Sequence, residues 1–171
     1  MSVDPFSLVY NMLWDVLESH AGFRNAVKIG NRVKLSARNR DPIKTEVSPA
    51  DLPEVRIIAN GITLGLNNTS SSSRMAVIYE VGIATGDQRL TASVFPMLWE
   101  IIRALSQEEL TKRLATLEWD GTAGFVKRVT VGPAAIGVTD RDLNRGIAEW
   151  SSLLSIETDL WFARSSIEPI E

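Results

Sequence analysis

His20 is the only histidine in the sequence, and the carboxylates Glu54, Glu80, Asp87, Glu157 and Asp159 are candidates among the acids for proton transfer. A lone imidazole near the end of an apolar-periodic stretch reads first as a structural group, because a positive histidine is favoured at a helix C-terminus. With one histidine and no cysteine, no zinc site is expected. The acids converge only if the fold brings them together. An acidic pocket at Glu80, Asp87 and Glu157 would make the protein a small enzyme or ligand-binding domain, and this is kept as an alternative.

Three motifs resemble known chemistry and fail on detail. Asp140, Asp142 and Asn144 alternate like the first ligands of a calcium loop. That loop needs glycine at its sixth position and glutamate at its twelfth, where this chain has Arg145 and Ser151. The segment reads instead as a polar turn before the last strand. Gly132–Thr139 has two glycines and no following lysine, so it is not a phosphate loop. No serine lies in a G-x-S-x-G elbow. No catalytic residue, cofactor or metal is assigned, and the protein is not expected to be an enzyme.

Two charged groups suit recognition. Lys28, Arg32, Lys34, Arg38 and Arg40 fall within thirteen residues. Asp140, Asp142 and Glu149 form an acidic group near the C-terminal end. Opposed patches of this kind steer docking and reject the wrong partner face. The net charge of −3 gives no global pull towards nucleic acid or an anionic membrane, and neither is an expected partner. The tryptophans Trp14, Trp99, Trp119, Trp150 and Trp161 read as core or interface residues.

The elements that position these residues follow from periodicity. Asp4-Pro5 starts a helix, with Phe6, Val9, Leu13, Val16, Leu17 and His20 on one side and Gly22 as its end. Ala26–Ala37 holds short strand-like pieces, with Gly30-Asn31 as a hairpin turn. Glu54–Ile58 is a short strand, and Thr63–Leu66 suits another. Met75–Thr85 is a long strand whose odd residues, Met75 to Ile83, face one way. Its other face mixes small residues with Glu80, as where another chain packs closely.

A helix carries Val94, Phe95, Leu98, Ile101, Ile102 and Leu105, and restarts at Ser106 in an S-x-x-E capping pattern. Phe125–Val131 is a strand broken by Gly132-Pro133, and Trp150–Phe162 is a second long strand. The polar segments 39–50 and 67–73 read as mobile loops. The economical way to bury this set is one α+β domain, residues 1–171. It would be a mainly antiparallel β-sheet with helices packed on one face.

An opening helix, the short strand Leu52–Ile57, the long strand Tyr79–Asp87, the helix Phe95–Leu105 and the closing strand Trp150–Phe162 follow one another. In that order the chain resembles the tail terminator and tail-completion proteins of long-tailed bacteriophages, from which the polar segment Asn39–Ala50 departs. The resemblance implies a homo-oligomeric ring, a hexamer, that caps the finished tail tube and meets the head-tail connector, without catalysis or cofactor. It implies a virion location, reached from the host bacterial cytoplasm during assembly. Another tail or neck subunit is the neighbouring alternative. A ring needs two different complementary patches on each subunit.

Overall fold

Asp4 starts the first helix as the sequence predicts. Its Oδ1 accepts from the Ser7 amide at 2.8 Å, its Oδ2 accepts from the Ser7 hydroxyl at 2.6 Å, and Pro5 is the first helical residue. These hydrogen bonds, the hydroxyl's first, hold the Asp4 carboxyl below its usual range. The computed structural model describes residues 4–33, 53–63, 72–85, 95–142 and 147–163. Helix α1 runs from Pro5 to Ser19 and buries Val9, Leu13, Trp14, Val16 and Leu17.

Gly22 does not end α1, contrary to the sequence expectation. The chain turns extended at His20 and enters a second helix, α2, Ala21–Ala26. His20 Nδ1 accepts from the Phe23 amide at 3.3 Å, so the imidazole caps the start of α2. His20 is thus at once the C-cap of α1 and the N-cap of α2, and its Nδ1 also lies 3.5 Å from Glu100 Oε2. Gly22 has another use. A Cβ there would lie 1.9 Å from Glu100 Oε2, so the missing side chain lets that carboxylate settle against α2.

Gly30-Asn31 is likewise no hairpin turn. It lies in a 3-10 turn, Ile29–Asn31, that leads into β1, Arg32–Val33. β1 pairs parallel with the first residues of β2, Glu54–Thr63. β2 is ten residues long where the sequence suggested a strand ending at Ile58; of the other expected strand, Thr63–Leu66, only Thr63 is among the described residues and it closes β2. A bulge between Ala59 and Gly61 absorbs the irregularity. β3, Ser72–Thr85, starts earlier than predicted and takes in Ser72 and Ser73 from the polar run. The remaining residues of the two expected loops, 39–50 and 67–71, lie outside the described residues.

Helix α3, Phe95–Ala104, and helix α4, Gln107–Ala115, are separated at Ser106, as read from the capping pattern. Ser106 Oγ accepts from the Glu109 amide at 3.4 Å. The reciprocal half of the capping box is not made. The Glu109 carboxylate instead accepts from Arg113 at 2.9 Å, one turn along. A two-strand hairpin follows, β4 Glu118–Trp119 and β5 Thr122–Ala123. Its turn is Asp120-Gly121, with φ of 49° and 72°. That is the Asp-Gly geometry of a tight hairpin.

The last two strands are long. β6, Val126–Asp142, and β7, Ile147–Ala163, have 17 residues each. Gly132-Pro133 does not end β6. The strand continues through it with a register shift between Val131 and Ala134. A Cβ at Gly132 would lie 3.3 Å from the Ser155 backbone oxygen, so glycine admits a close approach of the two strands.

Strand order is β1-β2-β3-β7-β6, antiparallel except at β1. One face carries Val55 and Ile57, Val77 to Ile83 at odd positions, and Leu154 to Phe162 at even positions, all buried. The helices pack on this face, so the fold is α+β with a mainly antiparallel sheet covered on one side. Tyr79 ties the layers together, its hydroxyl donating to the Phe6 carbonyl at 3.1 Å. Each large apolar side chain buried here stabilises by about 1.5–3 kcal/mol over leaving it exposed. No helix among the described residues is long and apolar enough to cross a membrane.

Candidate functional site

Register assembles the acidic group. Thr139 pairs with Glu149 and Asp142 with Ile147, so Asp140, Asp142 and Glu149 share the distal end of the β6–β7 hairpin. β3 reaches along β7 only as far as Thr85 opposite Trp150. Beyond that pair the described residues of the sheet form a two-stranded ribbon, and all three acids belong to it. Asp140 and Asp142 are strand residues of β6, not members of the polar turn read from the sequence. The segment 143–146, with Asn144 and Arg145, lies outside the described residues.

The basic group divides differently. Lys28 is exposed beside the exposed Ile29. Arg32 turns inward, with a side chain only 7% exposed. Its Nε and Nη2 donate to the Val27 carbonyl at 3.1 and 2.7 Å, and Nη2 also reaches the Arg24 carbonyl at 3.4 Å. The guanidinium lies over the Phe23 ring at 5.4 Å and 3.8 Å from Glu18. This fork satisfies carbonyls at the end of α2 and fixes where the chain enters β1. The group is therefore structural in position, whereas a free docking charge was expected. Lys34, Arg38 and Arg40 lie outside the described residues.

The face of the sheet away from the helices carries paired charges. Arg56 pairs with Glu54, and its stem passes 3.5 Å from where a Gly82 Cβ would be. Asn60 Nδ2 donates to Glu80 Oε1 at 2.6 Å. Arg74 pairs with Asp159 and lies over the Trp161 ring at 5.9 Å. Arg74 Nε and Asp159 Oδ1 are buried without partners, a leftover donor and acceptor on one pair.

Glu80 stands opposite Ser155, and Glu157 stands opposite Ile78. The two acids are thus diagonal neighbours on that face. Asp87, the third acid of the alternative pocket, lies outside the described residues. Among the described residues, no three His, Cys, Asp or Glu side chains group to hold a metal.

Two features add to the sequence reading, in which Phe95 lies on the apolar side of its helix and Trp99 is a core or interface residue. Phe95 and Trp99, one helical turn apart on α3, are 43% and 59% exposed, while Met97, Leu98 and Ile101 of the same helix face the core. The second is a clamp on the sheet edge. Gln107, first residue of α4, donates through Nε2 to the Val129 carbonyl and accepts at Oε1 from the Val131 amide at 2.9 Å. A side-chain amide thus takes the place of a neighbouring strand's peptide along one step of β6. Nothing in the sequence separation of Gln107 and Val129 announces this bond. No protein-family model matches the chain, and no curated protein sequence matches it.

Proposed function

We propose that the protein is a structural subunit of a bacteriophage or prophage tail that forms a ring, caps the tail tube and joins it to the head connector. The observation that carries this reading is the β6–β7 hairpin, which among the described residues extends past the other strands and carries Asp140, Asp142 and Glu149 at its distal end. An acidic ribbon beyond the packed core suits docking onto a basic surface of a tube or connector subunit, with charge setting orientation more than affinity. Exposed Phe95 and Trp99 add residue types that dominate binding energy when covered. On this reading the subunit works by contact and not by catalysis, needs no cofactor, and ends in the virion after assembly in the bacterial cytoplasm. Self-association into a hexamer is part of the proposal, and another tail or neck position is its near alternative.

The test uses particles assembled without the protein and particles carrying Asp140→Lys with Asp142→Lys. Without the protein, electron microscopy is expected to show tubes of irregular length and few joined heads. With the charge-reversed hairpin, ring mass is expected to persist while head joining falls. Normal tube length and normal joining in particles lacking the protein overturn the reading.

A further inference from the structure

Among the described residues the sheet has two open edges. There β1 covers β2 at Val55 and Arg56. Among the described residues, no strand pairs with the outer edge of β2 from Ile57 to Thr63, or with the outer edge of β6. An open edge is a row of backbone donors and acceptors that an extended chain satisfies. Gln107 already occupies the β6 edge at Val129 and Val131, which leaves the stretch beyond the Gly132-Pro133 irregularity. From Ala134 to Thr139 the β6 register runs without interruption.

We propose that the β2 edge of one copy pairs with the Ala134–Thr139 edge of β6 in the next copy, extending one sheet through successive subunits. This rests on the ring reading above and specifies its seam.

Two observations select this occupant. The first is direction. Each step from β2 to β3 to β7 to β6 is antiparallel, so β2 and β6 run in opposite senses. A second copy added in the same orientation brings its β2 antiparallel to β6, the slightly more stable pairing, with its helices on the same side of the sheet.

The second is apolar match. Ile62 pairs with Val77 on the helix-bearing face, yet is 50% exposed. On β6, the positions opposite Leu154, Ser152 and Trp150 are Ala134, Ile136 and Val138. They share the register parity of that same face. A seam between the two edges therefore sets Ile62 beside an apolar row. Pairing β6 with a second β6 would leave Ile62 and the β2 edge open. Because each copy offers one edge of each kind, the contact is heterologous and repeats until it closes.

The chain has no cysteine, so any disulfide reports only engineered positions. Ile62→Cys protein is mixed with Ala134→Cys, Ile136→Cys or Val138→Cys protein under mild oxidation, with the secondary structure of each variant checked by circular dichroism. Mixed dimers are expected with at least one of the three, in excess of either self-pair. Ile62→Lys is expected to raise the concentration for half-association about tenfold. Should Ile62→Cys fail to fold, Thr63→Cys against Ala135→Cys or Gly137→Cys tests the same seam from the opposite face. An oligomer that yields only self-pairs, or none of these cross-links, overturns this seam and leaves the ring standing. A monomer at every concentration by native mass spectrometry overturns both.

Discussion

Replacing Arg32 with alanine is expected to lower folding stability by about 2–4 kcal/mol, although it removes a surface-strand arginine. The guanidinium donates to the Val27 carbonyl twice, at 2.7 and 3.1 Å, and to the Arg24 carbonyl at a weaker 3.4 Å. A hydrogen bond from a charged donor contributes about 1.5–3 kcal/mol, and its loss at a helix end strands the acceptor. Stacking over Phe23 adds about 0.5–1 kcal/mol. The Glu18 contact, 3.8 Å away, adds about 0–1 kcal/mol. These are not additive, which keeps the total near the lower sum.

Arg32→Lys retains charge without the fork and should fall between the two. Arg32→Glu should be the worst, since it faces carbonyl oxygens with a carboxylate. Lys28→Ala, at an exposed position, should stay within about 0.5 kcal/mol. Urea unfolding reads the series. With a slope of about 2 kcal/mol per molar, Arg32→Ala moves the midpoint down by about 1–2 M at unchanged slope. A midpoint within about 0.25 M of the parent would refute the structural role and return Arg32 to the pool of docking charges.

Three other outcomes are expected. Tyr79→Phe costs about 0.5–1.5 kcal/mol at neutral pH by freeing the Phe6 carbonyl. Burial, with a smaller contribution from the Asp4 carboxylate, pushes the Tyr79 phenol above its ordinary value of 10.0, so the stability it confers is complete below pH 10 and fades above it. Melting temperature against pH should lose part of its alkaline fall in the Phe variant.

Asp4→Ala costs about 1 kcal/mol at pH 7, and Asp4→Asn much less, because the amide oxygen still caps. The Asp4 carboxyl is held below 3.8, so its added stability is present above that pH and disappears as pH falls through the lowered folded value. The difference in melting temperature between parent and Asp4→Asn should shrink accordingly in acid. Gln107→Ala should cost about 1–2 kcal/mol and speed hydrogen exchange at the Val131 amide, while amides facing β7 stay protected.

The faces of the long strands were legible because period two sorts β3 and β7 without help from the rest of the chain. Asp4 and Ser106 were legible because caps act within three or four residues. The misreadings came where tertiary context decides. Gly30-Asn31 looks like a turn, but the Arg32 fork onto Val27 draws the chain into a 3-10 turn. Gly132-Pro133 looks like a stop, but β6 is an edge strand, where a proline without an amide hydrogen can face away from its partner. The acidic group was visible as composition. Its gathering at one end of a ribbon required the pairing of Thr139 with Glu149, which no local signal supplies. The basic group was misjudged at Arg32 because charge in a sequence does not tell which way a side chain points.

The central position of β3 also sets the order in which the chain can fold. One of its neighbours, β2, comes just before it in the chain, but the other, β7, follows only after α3, α4 and β4 to β6. Thr158 Oγ1 bonds the Val77 carbonyl across 81 residues. The β6–β7 hairpin closes locally and fast, whereas its docking onto β3 closes a long loop and is slow. Until then β3 is itself an edge strand with an apolar face, the kind of surface that joins to wrong chains. A growing chain is therefore expected to leave this sheet unfinished until β7 has been made. Fragments that stop before β7 should aggregate rather than fold.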